Sequence, residues 1–417
     1  MARILARIVL LAVGVVYLAF MAIHGTGQWL LDHPTRENLE RGIRWDAGNP
    51  ALWARYGRDW AFLPDSAQSK RAADAYRQAV LLNPLDPDHW NGLASAYEQM
   101  GDQQSSEAAL RSELAVVPFS PEASWRLANF LIVRGRTREA LPYLRTAARE
   151  PSFRAAVFDL GWKLLDNPET ILRELVPPGV QAHADYLGFL LARKKLAEAY
   201  PAWKEVQAGE PALVAKLGNA YVGALAAAGM GSDAARVWDE LLGITGRTAV
   251  KTPGELLTNR DFEVSLINDG LDWRWNKGSG YQVSLDEFVI QNGTRSLRVT
   301  FDGTANPDFL EVWQVVPVEP GRRYRFQGYL KTENITTDQG MHFSLNTLGA
   351  PPGEAFSQTT ENRVDSNPWL QEQLDFRTGP HTSVVVVGLR RFPSRKLDHL
   401  LQGKVWIDNL SLRPVKE

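Results

Sequence analysis

The chain of 417 residues contains no cysteine. That excludes disulfide staples, thiolate-ligated zinc, iron–sulfur clusters and thiol nucleophiles. Histidine is scarce as well: His24, His33, His89, His183, His342, His381 and His399 are scattered, with no spaced pair on a helix. A transition-metal centre is not expected from that set. Neither sign of charge dominates. Forty-six basic against 48 acidic side chains leave a formal charge of −2, so nucleic acid is not an expected partner. The loops that cradle phosphate (G-x-x-x-x-G-K-S/T), the nucleophile elbow (G-x-S-x-G) and the zinc-protease helix (H-E-x-x-H) are all missing. Forty-eight acids leave room for the paired carboxylates of a glycosidase. The three segments described next nevertheless fill almost the whole chain and leave no separate catalytic domain, so the expectation is a protein that is not an enzyme.

What is present begins with a long apolar run. Arg3 and Arg7 precede sixteen uncharged residues, Ile8 to Ile23, and no further Lys or Arg occurs before Arg36. At ~1.5 Å per residue, a helix of sixteen residues reaches ~24 Å, so a ~30 Å bilayer core draws in its flanks. The charge bias places the N-terminus in the cytoplasm and everything after residue 32 across the membrane. Residues 1–31 therefore read as a single-pass anchor in the inner (cytoplasmic) membrane, with the bulk of the chain exported to the periplasm. The rival reading is a cleaved signal peptide, with Gly25 and Gly27 as the small residues before the cut.

Residues 35–245 repeat. Pro50, Pro84, Pro118 and Pro151 are spaced 34, 34 and 33 apart, the length of one supersecondary unit. Leu93 and Leu127, Ala94 and Ala128, and Gly101 and Gly135 recur 34 apart. Small residues let one helix approach the next, glycine ends the first helix where φ turns positive, and proline opens the following unit. An unusual turn is expected near Pro64–Ser66, and residues 152–178 read as an irregular unit with a helix over Arg154–Asp166 and a short second one. About five or six helical hairpins are expected in all. The pattern resembles the tetratricopeptide repeat, which implies a solenoid whose concave face holds a protein partner. Trp90, Trp125, Trp203 and Trp238 are expected to be repeat core.

After a linker at 246–254 the period changes from 3.6 to 2. SLRVTFD places Leu297, Val299 and Phe301 on one face, and RRYRFQGYL aligns Tyr324, Phe326 and Leu330. SVVVVGL is apolar on both faces and reads as a central strand. Pro320-Gly321 reads as the turn of a hairpin between the strands on either side of it. Arg390-Arg391 reads as a solvated pair. Short strands at this spacing indicate an antiparallel β-sandwich over residues 255–417. Four ordered blocks, LLTNRDFE, NGTRSLRVTF, VWQVVPVEPGRRYRFQGYLKTENI and VWIDNLSL, resemble the carbohydrate-binding modules of families 4, 9, 16 and 22, with a galactose-binding-like jelly roll.

That resemblance implies two things to look for. The first is a structural calcium held by Asp261, Glu263 and Asp408, with backbone carbonyls completing the shell. Its alternative is a hydrogen-bonded carboxylate pair tying the terminal strands. The second is sugar binding on aromatic side chains, for which Trp275, Tyr281, Trp313, His342 and Trp369 are the candidates, Trp369 in a loop-like stretch. The competing role for each aromatic is core packing. The domain pairing suggests a membrane-anchored, non-catalytic scaffold in the synthesis or export of cell-surface polysaccharide. Its alternatives are a protein-interaction scaffold whose jelly roll binds no sugar and a glycan-modifying enzyme.

Overall fold

Fourteen helices and ten strands follow one another in this computed structural model, which describes residues 2–61, 66–247 and 252–415. The expected turn at 64–66 begins outside the described residues, and so do residues 248–251 of the expected linker. The helices are α1 (Ala2–Asp32), α2 (Arg36–Trp45), α3 (Pro50–Ala61), α4 (Ser66–Leu82), α5 (Pro87–Gln99), α6 (Gln103–Val116) and α7 (Pro121–Val133). They continue as α8 (Thr137–Ala147), α9 (Pro151–Leu165), α10 (Pro168–Leu175), α11 (Val180–Ala192), α12 (Tyr200–Val206), α13 (Pro211–Ala227) and α14 (Gly231–Thr245). The chain forms two compact units, Met1–Asp185 and Tyr186–Glu417.

In the first unit each hairpin follows from local chemistry. Asp86 and Ser120 accept hydrogen bonds from the N–H groups of Asp88 and Ala123, capping α5 and α7, and Pro87 and Pro121 follow as the first helical residues. Of the four evenly spaced prolines, Pro50 and Pro151 open helices, whereas Pro84 and Pro118 lie in turns three residues ahead of the true openers. The period is the same because Pro87 and Pro121 are also 34 apart. Gly101 and Gly135 take φ of 75° and 74° just past α5 and α7, as a helix-ending glycine should. The irregular unit has its two helices, α9 and α10.

A side chain reaching six residues back recurs at the joints. The Trp53 indole N–H donates to Ala47 O at 2.9 Å, Trp90 does the same to Pro84 O at 2.8 Å, and Arg154 Nε donates to Ala148 O at 3.0 Å. Trp90, bonded in this way, is half-buried rather than core, as is Trp125 beside Phe153, while Trp203 and Trp238 are buried.

In the second unit α12–α14 pack around Trp203, whose indole N–H donates to Glu240 Oε2 at 2.8 Å. The strands are β1 (Arg274–Trp275), β2 (Tyr281–Asp286), β3 (Ser296–Asp302), β4 (Phe309–Pro317), β5 (Arg323–Ile335), β6 (His342–Thr347), β7 (Ser357–Thr359), β8 (Asp365–Arg377), β9 (Val384–Arg391) and β10 (Gln402–Pro414). They form two five-stranded sheets, β1-β4-β9-β6-β7 and β2-β3-β10-β5-β8, and neighbouring strands pair antiparallel in both. Phe301, Phe326 and Ile407 of the second sheet meet Phe309, Phe343 and Leu389 of the first in a common core. Each such side chain contributes roughly 1.5–3 kcal/mol on leaving water.

Two expectations are corrected here. β4 and β5 do not pair; the Pro320-Gly321 turn carries the chain from one sheet to the other, and β4 pairs with β9. Both strands have an apolar face, and placing them in opposite sheets lets those faces meet across the core. Arg391 is buried, not solvated: its guanidinium donates to Pro307 O, Gln339 O and Thr337 Oγ1 at 2.6–3.2 Å, which satisfies the charge-bearing fork.

The last helical hairpin is part of the sandwich unit. Gly231 N donates to Ser383 Oγ at 3.0 Å, and that hydroxyl donates to Gly229 O at 2.5 Å. Trp238 of α14 lies against Gly270, where an added Cβ would stand 2.1 Å from its ring.

Candidate functional site

Strand alternation decides which side chains leave the core. Along β4, Phe309, Val312 and Val316 face inward, so Glu311, Trp313 and Val315 face out on the first sheet. Across the strands Trp313 is in register with Gly388 of β9, and Gly388 with Ser344 of β6. A Cβ on Gly388 would stand 2.9 Å from Leu310 Cδ1, 3.1 Å from Val312 O and 3.4 Å from Trp313 Cβ, so the glycine makes room on this floor for Leu310 beside the indole.

Over that floor lies a cleft of about 380 Å³. Trp313 and Glu311 belong to β4, Arg274 and Asn276 to the segment around β1, and Gly223 and Ala226 of α13 form the facing wall. The polar groups are held in place. Asn276 Nδ2 donates to Glu311 Oε2 at 2.7 Å, and the Arg274 guanidinium stands 5.7 Å from the Trp313 ring centre and 3.6 Å from Asp269. A large aromatic surface next to a carboxylate, an amide and a guanidinium gives an apolar platform edged with fixed hydrogen-bonding groups.

The five aromatic and imidazole candidates separate in the structure. Trp313 lines the cleft. Trp275 points the other way from Arg274 and packs against the inter-sheet core. Tyr281 stands on β2 of the opposite sheet, 5.1 Å from the Phe309 ring centre, with its hydroxyl on Asn276 O at 3.1 Å. His342 shares the outer sheet face with Trp313 and pairs in register with Arg390. It is 4% exposed, its ring lies 5.5 Å from Phe392, and neither ring nitrogen has a partner among the described residues. Burial, with the Arg390 charge adding to it, pushes the imidazole down to about 4, so the ring is neutral at pH 7. Trp369 lies inside β8 of the second sheet rather than in a loop, because Leu370 and its neighbours pair with β5. Trp313 alone of the five therefore lines the cleft. The alternation of Glu311 with Trp313 was a usable signal for the pair; Arg274 and Asn276 flank Trp275 at the same period and were open to the same reading. The α13 wall left no trace in the sequence.

Two of the three carboxylates considered for calcium, Asp408 and Glu263, accept hydrogen bonds from the chain. Asp408 is buried; its Oδ2 accepts from Gln291 N and Asn292 N at 2.9 and 3.0 Å, and its Oδ1 from Asn409 N at 2.6 Å. Glu263 accepts from Thr294 N, Thr294 Oγ1 and Arg295 N at 2.5–3.2 Å. Burial raises the Asp408 carboxyl, with those N–H groups pulling back. At Glu263 burial is outweighed by the Thr294 and Arg295 bonds, which hold the carboxyl below its usual range. No group of three or more acidic or histidine side chains suited to a metal occurs among the described residues. As they stand, Glu263 and Asp408 form hydrogen-bonded ties between chain segments, and Asp261 lies close enough to Asp408 for its charge to raise that carboxyl further.

The first unit has a groove of its own, about 390 Å³, edged by Asn91, Ser95 and Glu98 of α5 and by Trp125, Asn129 and Val133 of α7. Its amides and single carboxylate point from the first helix of successive hairpins.

No family model and no curated protein sequence matches the chain. Among solved structures it is similar to the CBM22-1 xylan-binding domain from Paenibacillus barcinonensis Xyn10C, at 15% identity and TM-score 0.28, over 38% of this chain and 93% of that one. It is also similar to MamA protein, at 20% identity and TM-score 0.27, over 32% of this chain and 74% of that one. The enzymatically active domain of tailspike protein 4 from bacteriophage CBA120 matches at 15% identity and TM-score 0.29, over 40% of this chain and only 22% of that one.

Proposed function

We propose that the protein is a membrane-anchored, non-catalytic scaffold that holds a carbohydrate chain in the Trp313 cleft and a protein partner on its tetratricopeptide-like helices. The observation that carries this reading is the cleft itself: an indole beside apolar floor residues, edged by Arg274, Asn276 and Glu311. A pyranose ring has an apolar face that stacks on indole and equatorial hydroxyls that pair with such edge groups. The groove between α5 and α7 supports the protein-partner role. The non-catalytic reading draws on the cleft's single lining carboxylate, Glu311, since glycoside hydrolysis uses two.

α1 is long and apolar enough to cross a membrane, and its apolar stretch is exposed. An uncleaved anchor in the inner membrane is favoured because the helix runs on unbroken past Gly25 and Gly27 and docks on α2: His24 Nδ1 lies 2.7 Å from Asp46 Oδ2, and Gly27 and Leu30 are buried. A cut at either glycine would remove His24 from its partner. With the bulk exported, the setting proposed is the synthesis or export of cell-surface polysaccharide.

The test is affinity electrophoresis of the detergent-solubilised full chain through gels containing neutral and acidic polysaccharides. Retardation by at least one, weakened by Trp313→Ala on the order of fivefold (~1 kcal/mol), is expected. Unchanged mobility in every gel would leave the protein-interaction scaffold as the better reading.

A further inference from the structure

The sequence contains fourteen tryptophans, and twelve of them are buried or half-buried. The two exposed ones, Trp29 at 56% and Trp45 at 66%, both lie where α1 leaves its uncharged run. Their position follows from how α2 folds back. The chain reverses after Asp32, Thr35 caps α2 by accepting from Asn38 N, and α2 returns so that Asp46, just beyond its end, meets His24. The approach is close: a Cβ on Gly27 would stand 3.0 Å from Asp46 Oδ2, and one on Gly42 would stand 2.9 Å from Leu52. His24 is the residue immediately after Ile23, the last of the uncharged run. The end of α2 is thereby brought back to the level at which α1 emerges from the bilayer. Trp29 stands only five residues further along α1, ~7.5 Å by helical rise.

We propose that the α1–α2 hairpin is seated in the lipid headgroup layer, with Trp45, Trp29 and Arg44 as its lipid contacts. The proposal rests on the anchor reading given above and adds to it where the first helices lie. Indole rings partition to the headgroup zone, where an apolar body and a single N–H donor are both satisfied. Arg44 is exposed and has no hydrogen bond or ion pair among the described residues, so its guanidinium is free for an anionic lipid phosphate. The Trp53 bond to Ala47 O fixes the turn that follows, so Trp45 is presented on a braced corner. A protein patch would serve equally well anywhere on the surface. The confinement of both exposed indoles to the level of the emerging helix is what favours lipid.

The absence of cysteine makes the test direct, because one introduced thiol carries one spin label. Single nitroxides at Ala47→Cys in the α2–α3 turn, Val15→Cys in the apolar run and Gln104→Cys at an exposed position of α6 are compared in the full chain. The chain is reconstituted in bilayers of phosphatidylethanolamine and phosphatidylglycerol. Collisions with oxygen, which concentrates in lipid, and with a water-soluble nickel chelate report depth. The expected result places Val15→Cys in hydrocarbon, Gln104→Cys in water, and Ala47→Cys between them with most nickel collisions lost. Adding Arg44→Glu and Trp45→Ala to the Ala47→Cys chain then restores those collisions. Nickel access at Ala47→Cys equal to that at Gln104→Cys, with Val15→Cys still in hydrocarbon, overturns the seating and leaves the anchor standing. Nickel access at Val15→Cys overturns both.

Discussion

Trp238 and Gly270 form a contact that a double substitution can measure. Trp238 is 2% exposed on α14, and its ring fills the space where a Gly270 side chain would begin. Trp238→Ala removes a buried indole and costs roughly 3–5 kcal/mol by the usual cavity arithmetic. Gly270→Ala has two costs. Its φ of 58° is left-handed, about 1–2 kcal/mol for a side chain, and its methyl collides with the ring, about 1–3 kcal/mol of overpacking. In the Trp238→Ala background the collision disappears while the backbone strain stays. The double variant should therefore be more stable than the sum of the singles predicts, by roughly 1–3 kcal/mol. The assay is denaturant unfolding of the full chain, followed by circular dichroism at helix- and strand-sensitive wavelengths. Each single should also lower the melting temperature of the strand signal by roughly 2–4 °C per kcal/mol lost. Additivity within about 0.5 kcal/mol, or a strand transition that ignores Trp238→Ala, would refute the claim that this hairpin and the sandwich form one cooperative body.

Three further outcomes are expected. Chelation of divalent cations should leave the melting temperature unchanged, because N–H and hydroxyl donors already hold Glu263 and Asp408; a marked fall would restore the calcium site. His342 is neutral when folded and takes a proton near its ordinary pKa of 6.5 when unfolded, so its contribution to stability is complete above pH 6.5 and lost as the pH falls to about 4. That contribution is about 3 kcal/mol at most, and His342→Asn should flatten the pH dependence of unfolding over this window; an unchanged profile would place the effect elsewhere. Gly388→Val should abolish retardation in polysaccharide gels, since its branched side chain meets Leu310, Val312 O and Trp313 on the cleft floor; retained binding would move the site away from Trp313.

Much of the fold was readable because its causes are local. Recurring prolines and glycines punctuate the hairpins, and two-residue alternation in SLRVTFD or RRYRFQGYL shows which face is buried whatever the partner strand. What escaped was non-local. Pro84 and Pro118 match the period as well as Pro87 and Pro121 do, and only the capping bonds of Asp86 and Ser120 tell them apart. The strands flanking Pro320-Gly321 resemble a hairpin until β4 is seen to pair with β9, a strand about seventy residues away. Arg391 looks like any surface arginine until carbonyls from Pro307 and Gln339 converge on it. Of the candidate site, Trp313 and its alternation with Glu311 were legible, whereas the wall supplied by Gly223 and Ala226 depends on how α13 meets the sheet.

The joints of the first unit have a consequence for its history. Four residues separate α2 from α3, α4 from α5 and α6 from α7, and three separate α8 from α9, while the helix openers Pro50, Pro87, Pro121 and Pro151 advance by 37, 34 and 30. Length is gained and lost mainly within the hairpins, since the joints differ by one residue. A tryptophan or arginine clasping the carbonyl six residues upstream gauges three of these joints, Trp53 and Trp90 across four residues and Arg154 across three. Units joined in this way can be duplicated, shortened or exchanged as whole modules, because the variable length lies inside a module and the joint it presents stays three or four residues long.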